Sequence, residues 1–146
     1  MSDADLFKLY SQRILALAAD IPFTEPLATP DASARKRAPL CGSTVAVSLT
    51  LKDGRITGYS QQVHACALGQ ASAAIFGAAV IGRTRDEVAA LRDTLAAMLT
   101  GGPVPAAPFG EYEVLQAARD YPNRHASILL APEATLEALD AAAKAA

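Results

Sequence analysis

Residues 41–72, CGSTVAVSLTLKDGRITGYSQQVHACALGQAS, decide the fold. Two runs rich in Val, Thr, Ile and Leu, 43–51 and 55–65, flank Asp53-Gly54. That dipeptide suits a type I′ turn, whose central residues both need positive φ, so the stretch predicts a β-hairpin. With a two-residue loop Lys52 faces Arg55, and antiparallel partners have residue numbers that sum to 107. Cys41 and Cys66 share that sum, which sets them across from each other beyond the open end, with Cβ atoms about 4.5–5.5 Å apart. The same register pairs Ser43 with His64 and turns both toward the face of the cysteines. On that face the first strand carries Val45, Val47, Leu49 and Leu51, whereas the second offers Ile56, Gly58, Ser60 and Gln62. A β-bulge that repaired this mismatch would move His64 away.

Outward from the hairpin, Ala67 to Val80 reads as a small-residue helix able to pack closely on a sheet, ended by Gly82. Cys66 stands just ahead of it, where free N–H groups and the helix dipole stabilise a thiolate, so it is expected to be the more reactive thiol. Thr84 with Glu87 three residues on predicts a capping box for a helix carrying Val88, Leu91, Leu95, Met98 and Leu99, stopped by Gly101-Gly102-Pro103. Residues 111–119 predict a short helix with Val114 and Leu115 inward, closed by Pro122, and a last helix is expected to start at Pro132. Toward the amino terminus, Leu6, Leu9, Tyr10, Ile14 and Leu17 mark an amphipathic helix over 4–19. Four prolines between Pro22 and Pro39 predict little regular structure there and place Arg35-Lys36-Arg37 in a solvated loop. The fold class is α+β, a small antiparallel sheet packed against several helices.

At 146 residues and 51% hydrophobic, the chain has enough apolar material for one domain, 1–146, around one core. A net charge of −2 supplies no general attraction for nucleic acid or anionic membrane, which argues against both as partners. Charges at Asp3, Asp5, Lys8, Arg13 and Asp20 break up any signal-peptide core, and no run is long enough to span a bilayer, so a cytoplasmic location is expected. Two cysteines are no disulfide framework, and by spacing alone metal binding, thiol chemistry and burial all stay open. Soft thiolates would favour zinc, copper(I) or iron–sulfur clusters. There is no P-loop, GxGxxG or GxSxG, so hydrolase and nucleotide-binding chemistry lacks support.

Ala38-Pro39-Leu40-Cys41-Gly42 before the hairpin, and His64-Ala65-Cys66-Ala67-Leu68-Gly69-Gln70-Ala71-Ser72 after it, resemble the two cysteine motifs of the NifU/IscU/SufU iron–sulfur cluster assembly scaffold family. Ile81-Gly82-Arg83-Thr84 resembles the family's short turn before an amphipathic helix, and Arg124 to Leu129 the segment around its third cysteine. The resemblance covers most of the chain, least clearly 24–36 and 100–120. It implies a scaffold or carrier, not an enzyme, that assembles an iron–sulfur cluster on Cys41 and Cys66 and passes it to acceptor apo-proteins. Iron and sulfur would come with the help of a cysteine desulfurase; zinc can occupy the family's site, and a homo-oligomer is compatible with it.

The chain departs from the pattern in three places. Ser43 replaces an Asp, and a hydroxyl ligates poorly compared with a carboxylate. The third cysteine is missing, and its place falls on His125, Ala126 or Ser127, of which His125 is the capable ligand. Cys41, Cys66 and His125 are thus the candidate ligands, with Ser43 and His64 behind them. A Cys-Cys-His set suits zinc, or a cluster completed by an external thiol or a partner residue. Tyr121-Pro122-Asn123-Arg124 stands where one branch has its Leu-Pro-Pro-Val-Lys chaperone-binding stretch, so recognition by that chaperone is not expected. Two rival functions follow: a zinc-held sulfur acceptor for a desulfurase, or a degenerate interaction module without metal.

Overall fold

Asp53 and Gly54 adopt φ of 53° and 77°, the left-handed pair the hairpin turn requires. The computed structural model describes residues 10–145, so the first half of the helix expected over 4–19 lies outside the described residues. Its second half is α1, Gln12–Ala18, capped by Ser11, whose hydroxyl accepts from the Ile14 amide. The hairpin strands are β2, Thr44–Lys52, and β3, Arg55–His64.

A third strand, β1, Ala32–Arg37, pairs antiparallel with β2 and gives the sheet order β1-β2-β3. This corrects the solvated loop expected for Arg35-Lys36-Arg37. Proline ends before the strand begins and resumes after it, and alternation half-buries the Ala32/Ala34 face while Ser33, Arg35 and Arg37 face out. Basic residues on an edge strand also discourage edge-to-edge pairing.

The turn register, Leu51 against Ile56, holds for two pairs and then slips at a bulge, so that Thr50 faces Gly58 and Thr44 faces His64. Past the bulge partner numbers sum to 108, which corrects both the Ser43–His64 pairing and the expected inner face of β3. Tyr59 and Gln61, fully covered, and the partly covered Val63 now share the core side with Val45, Val47 and Leu49. The apolar pattern thereby overrides the turn, because a one-residue slip turns every side chain over.

Helix α2, Ala67–Ala78, is almost wholly buried, packed by α1, β3 and α4. Its alanines, glycines and Ser72 permit close approach, and Phe76 stacks on Phe109 at 5.8 Å and meets Tyr59 edge-on at 6.2 Å. Helix α3, Arg85–Leu99, starts in the full capping box of Thr84 and Glu87 and buries Val88, Leu91, Leu95, Met98 and Leu99. A 3₁₀ segment, Gly110–Asp120, replaces the short helix expected over 111–119; it buries Leu115 and Tyr112, while Val114 is half-buried.

Helix α4 runs His125–Ala145, and Pro132, expected to open it, lies inside it. A helical proline leaves the carbonyl four residues earlier without its donor, here Ile128. The Ser72 hydroxyl on α2 donates to that carbonyl at 2.5 Å. The break that proline threatened is thus mended from another element. No described helix is long and apolar enough to cross a membrane.

Candidate metal centre

Ala38 is buried and anchors the loop leading into β2; its amide donates to the Ser43 carbonyl, and its carbonyl accepts from the Gly42 amide. Gly42 takes φ of 72°, a conformation open to glycine at no steric cost, and the reversal carries Leu40 and Cys41 out to the tip. Leu40 is 83% exposed and Cys41 is exposed. Cys66, half-buried, is the N-cap of α2, as its position before the small-residue helix predicted.

Two serines join the thiols. Cys41 Sγ donates to Ser43 Oγ at 3.2 Å, Ser127 Oγ donates to Ser43 Oγ at 3.2 Å, and Cys66 Sγ lies 3.6 Å from Ser127 Oγ. Cys41, Ser43, Ser127 and Cys66 therefore form one continuous polar chain assembled from the β2 entry loop, the first turn of α4 and the start of α2. Ser127 and Ser43 are buried, so the exposed end of this chain is Cys41. Gly69 makes room for Ser127: a Cβ at that position would overlap the Ser127 hydroxyl and stand 2.8 Å from Ala65 Cβ.

Hydrogen bonding with Ser43, whose hydroxyl can turn to donate, holds the Cys41 thiol below its ordinary pKa against the opposing effect of burial. Cys41 is the more exposed of the two thiols, whereas Cys66, expected to be the more reactive, is half-buried at the start of α2.

The remaining sequence candidates lie apart from this chain of contacts. His64 is exposed in β3 opposite Thr44. His125 begins α4, and its Nε2 is 2.8 Å from the Ala118 carbonyl. Ser127, named only as one of three positions for the missing cysteine, is the one that contacts Ser43 and approaches Cys66. Its signal was the helical phase of α4: Ser127 is buried between Ala126 and Ile128, while His125 sits a step earlier on the helix. Among the described residues no group of three or more His, Cys, Asp or Glu side chains is placed to hold a metal ion.

No family model matches the sequence. The iron-sulfur cluster assembly scaffold protein IscU of Streptococcus pyogenes serotype M1 is 30% identical over 108 residues, covering 73% of this chain and 68% of that protein. This chain belongs to the NifU/IscU/SufU scaffold family. A NifU-like protein (N-terminal) from Brucella abortus, described as nitrogen-fixing, has a crystal structure that superposes with a TM-score of 0.93 at 40% identity, over 97% of this chain and 99% of that one. A scaffold protein for the SUF system from Fervidobacterium islandicum, given as putative, shares the fold at a TM-score of 0.82 and 21% identity, over 91% of this chain and 98% of that one. The family's mixed architecture, a three-stranded antiparallel sheet with helices packed against it, is the one found here.

Proposed function

We propose that this protein is a cytoplasmic scaffold for iron–sulfur cluster assembly that holds iron or a nascent cluster, as cargo, on Cys41 and Cys66. A cysteine desulfurase would supply the sulfur and acceptor apo-proteins would receive the product; its work is holding and hand-over rather than turnover of a small molecule. The observation that carries the reading is the convergence of two thiols, distant in sequence, on one buried pair of serines in a chain of this family. Thiolates suit iron and clusters by softness, and the exposed Cys41 gives cargo a way in and out. The donor set fits in part. Ser43 and Ser127 carry no charge and are weak ligands, so two coordination positions must be completed by other donors. His125 would have to leave the Ala118 carbonyl to become one.

The test is iron, sulfide and zinc content with the visible spectrum, on protein purified without oxygen and after reconstitution. Thiolate-to-iron charge-transfer bands lost in Cys41→Ser and in Cys66→Ser, and kept in His125→Ala, are the expected result. Ser127→Cys adds a third thiol beside Cys66 and should slow cluster loss to a chelator by about tenfold or more. Stoichiometric zinc without iron would turn the reading to a sulfur acceptor. Absence of metal under every condition would turn it to an interaction module.

A further inference from the structure

We propose that Arg37 is an anion-recognition residue at the mouth of the cysteine site, and that its ligand is a small carboxylate-bearing thiol that completes the coordination of the cargo. The inference rests on the scaffold reading for the role of the thiol, and on the structure alone for Arg37.

Even a two-iron cluster needs four terminal ligands. The chain brings Cys41 and Cys66, and the side chains beside them are hydroxyls. With His125 held at the Ala118 carbonyl, the other two ligands are to come from outside, and thiolate, the softest of the available donors, suits iron best. They must also approach from the side of the exposed Cys41 loop, because Ser43 and Ser127 close the inner side.

The charge of that entrance selects among thiols. A guanidinium nitrogen of Arg37 lies 3.8 Å from where a Cβ on Gly42 would stand, so this cation hangs over the residue next to Cys41. Among the described residues the Arg37 side chain makes no ion pair and no hydrogen bond, whereas its neighbour Lys36 pairs with Glu137 on α4. Arg35, two residues back, faces the same way and is equally unpaired. Cross-strand pairing sets Arg37, Thr44 and His64 in one row on the outer face of the sheet, so the row nearest the site ends in two donors and contains no carboxylate. On a chain of net charge −2, this is a local positive entrance built beside a neutral donor set. A guanidinium pairs with a carboxylate in forked geometry, which a neutral or cationic thiol cannot offer.

A second copy of the chain would also bring two cysteines. A cluster held between two copies is the competing arrangement, and the molecular mass and bound-thiol content separate it from the small thiol. The unpaired arginines favour the small anion.

The apo-protein with Cys66→Ser isolates Cys41 for the first measurement. The Cys41 thiolate attacks one sulfur of a disulfide, the S–S bond breaks, a mixed disulfide forms and one thiolate departs. Rates with oxidised glutathione, which carries carboxylates, and cystamine, which is cationic, are compared for Arg37, Arg37→Gln and Arg37→Glu. The ratio of the two rates cancels any change in the pKa of Cys41. It should fall about three- to tenfold in Arg37→Gln, further in Arg37→Glu, and less at high salt. An unchanged ratio overturns the proposal.

The second measurement reconstitutes the intact protein with iron and sulfide in reduced glutathione or in 2-mercaptoethanol, then determines bound thiol per cluster and the molecular mass. Two glutathiones per cluster on a monomer, lost in Arg37→Gln while retention with 2-mercaptoethanol is unaffected, is the expected result. A cluster held between two copies without small thiol overturns the co-ligand. Failure to form a cluster with any thiol, with the disulfide preference intact, overturns the scaffold reading and leaves Arg37 as an anion site.

Discussion

Replacing Ser72 by alanine removes the donor that serves the Ile128 carbonyl, which Pro132 has left without a helical partner. Ser72 is fully buried, so water cannot take over. The change also removes the 3.0 Å contact between the Ser72 and Tyr112 hydroxyls, while the Tyr112 hydroxyl keeps its bond to the Ser72 backbone carbonyl at 3.0 Å. A buried acceptor deprived of its donor costs about 1–3 kcal/mol, and the better helix propensity of alanine returns about 0.5 kcal/mol. The expected net loss is about 1–2 kcal/mol. In a Pro132→Ala background the new amide at 132 can donate to Ile128, and the cost of Ser72→Ala should drop by about 1 kcal/mol. Urea unfolding of the four proteins, followed by circular dichroism because the chain has no Trp, gives the coupling energy. At a slope of about 1–3 kcal/mol/M, a loss of 1–2 kcal/mol moves the midpoint by about 0.5–1 M. Equal losses in both backgrounds, within about 0.5 kcal/mol, would refute the claim that Ser72 repairs the proline break.

Two further outcomes follow from the site. Gly69→Ala should destabilise by about 1–3 kcal/mol through overpacking against Ala65 and displacement of Ser127, and should speed alkylation of Cys66; Gly110→Ala, with nothing within 4 Å, should stay within about 0.5 kcal/mol of the parent. Thermal unfolding with thiol labelling checks both, and a neutral Gly69→Ala would contradict the close approach of α2 and α4. Because hydrogen bonding with Ser43 lowers the Cys41 pKa, its thiolate persists to lower pH than an ordinary thiol, and its alkylation rate should reach half-maximum at a lower pH than that of an unperturbed thiol. Ser43→Ala removes the principal cause and should move that midpoint upward; an unmoved midpoint would show that Ser43 is not its source.

Local signals carried the sequence reading a long way. Asp53-Gly54 set the hairpin, Thr84 and Glu87 set the start of α3, and the two cysteine motifs at Cys41 and Cys66 indicated a family whose membership the comparisons established. Each depends on residues close together in the chain, where backbone preference and hydrogen bonding act within a turn or two.

What the tertiary structure decided depends on partners far apart in sequence. β1 exists because Arg35 and its neighbours find β2, and β-pairing leaves little mark on a short basic run flanked by prolines. The bulge past Leu51 is placed by which residues the helices cover, so the fate of His64 could not be fixed by counting from the turn. Helix α4 passes through Pro132 because Ser72 stands against it. Ser127 comes to the thiols because Gly69 leaves space for it. Sequence determined the elements that local chemistry dictates and the two thiols; packing determined the register, the long last helix and the serine bridge between those thiols, because each is a contact whose two halves the chain specifies far apart.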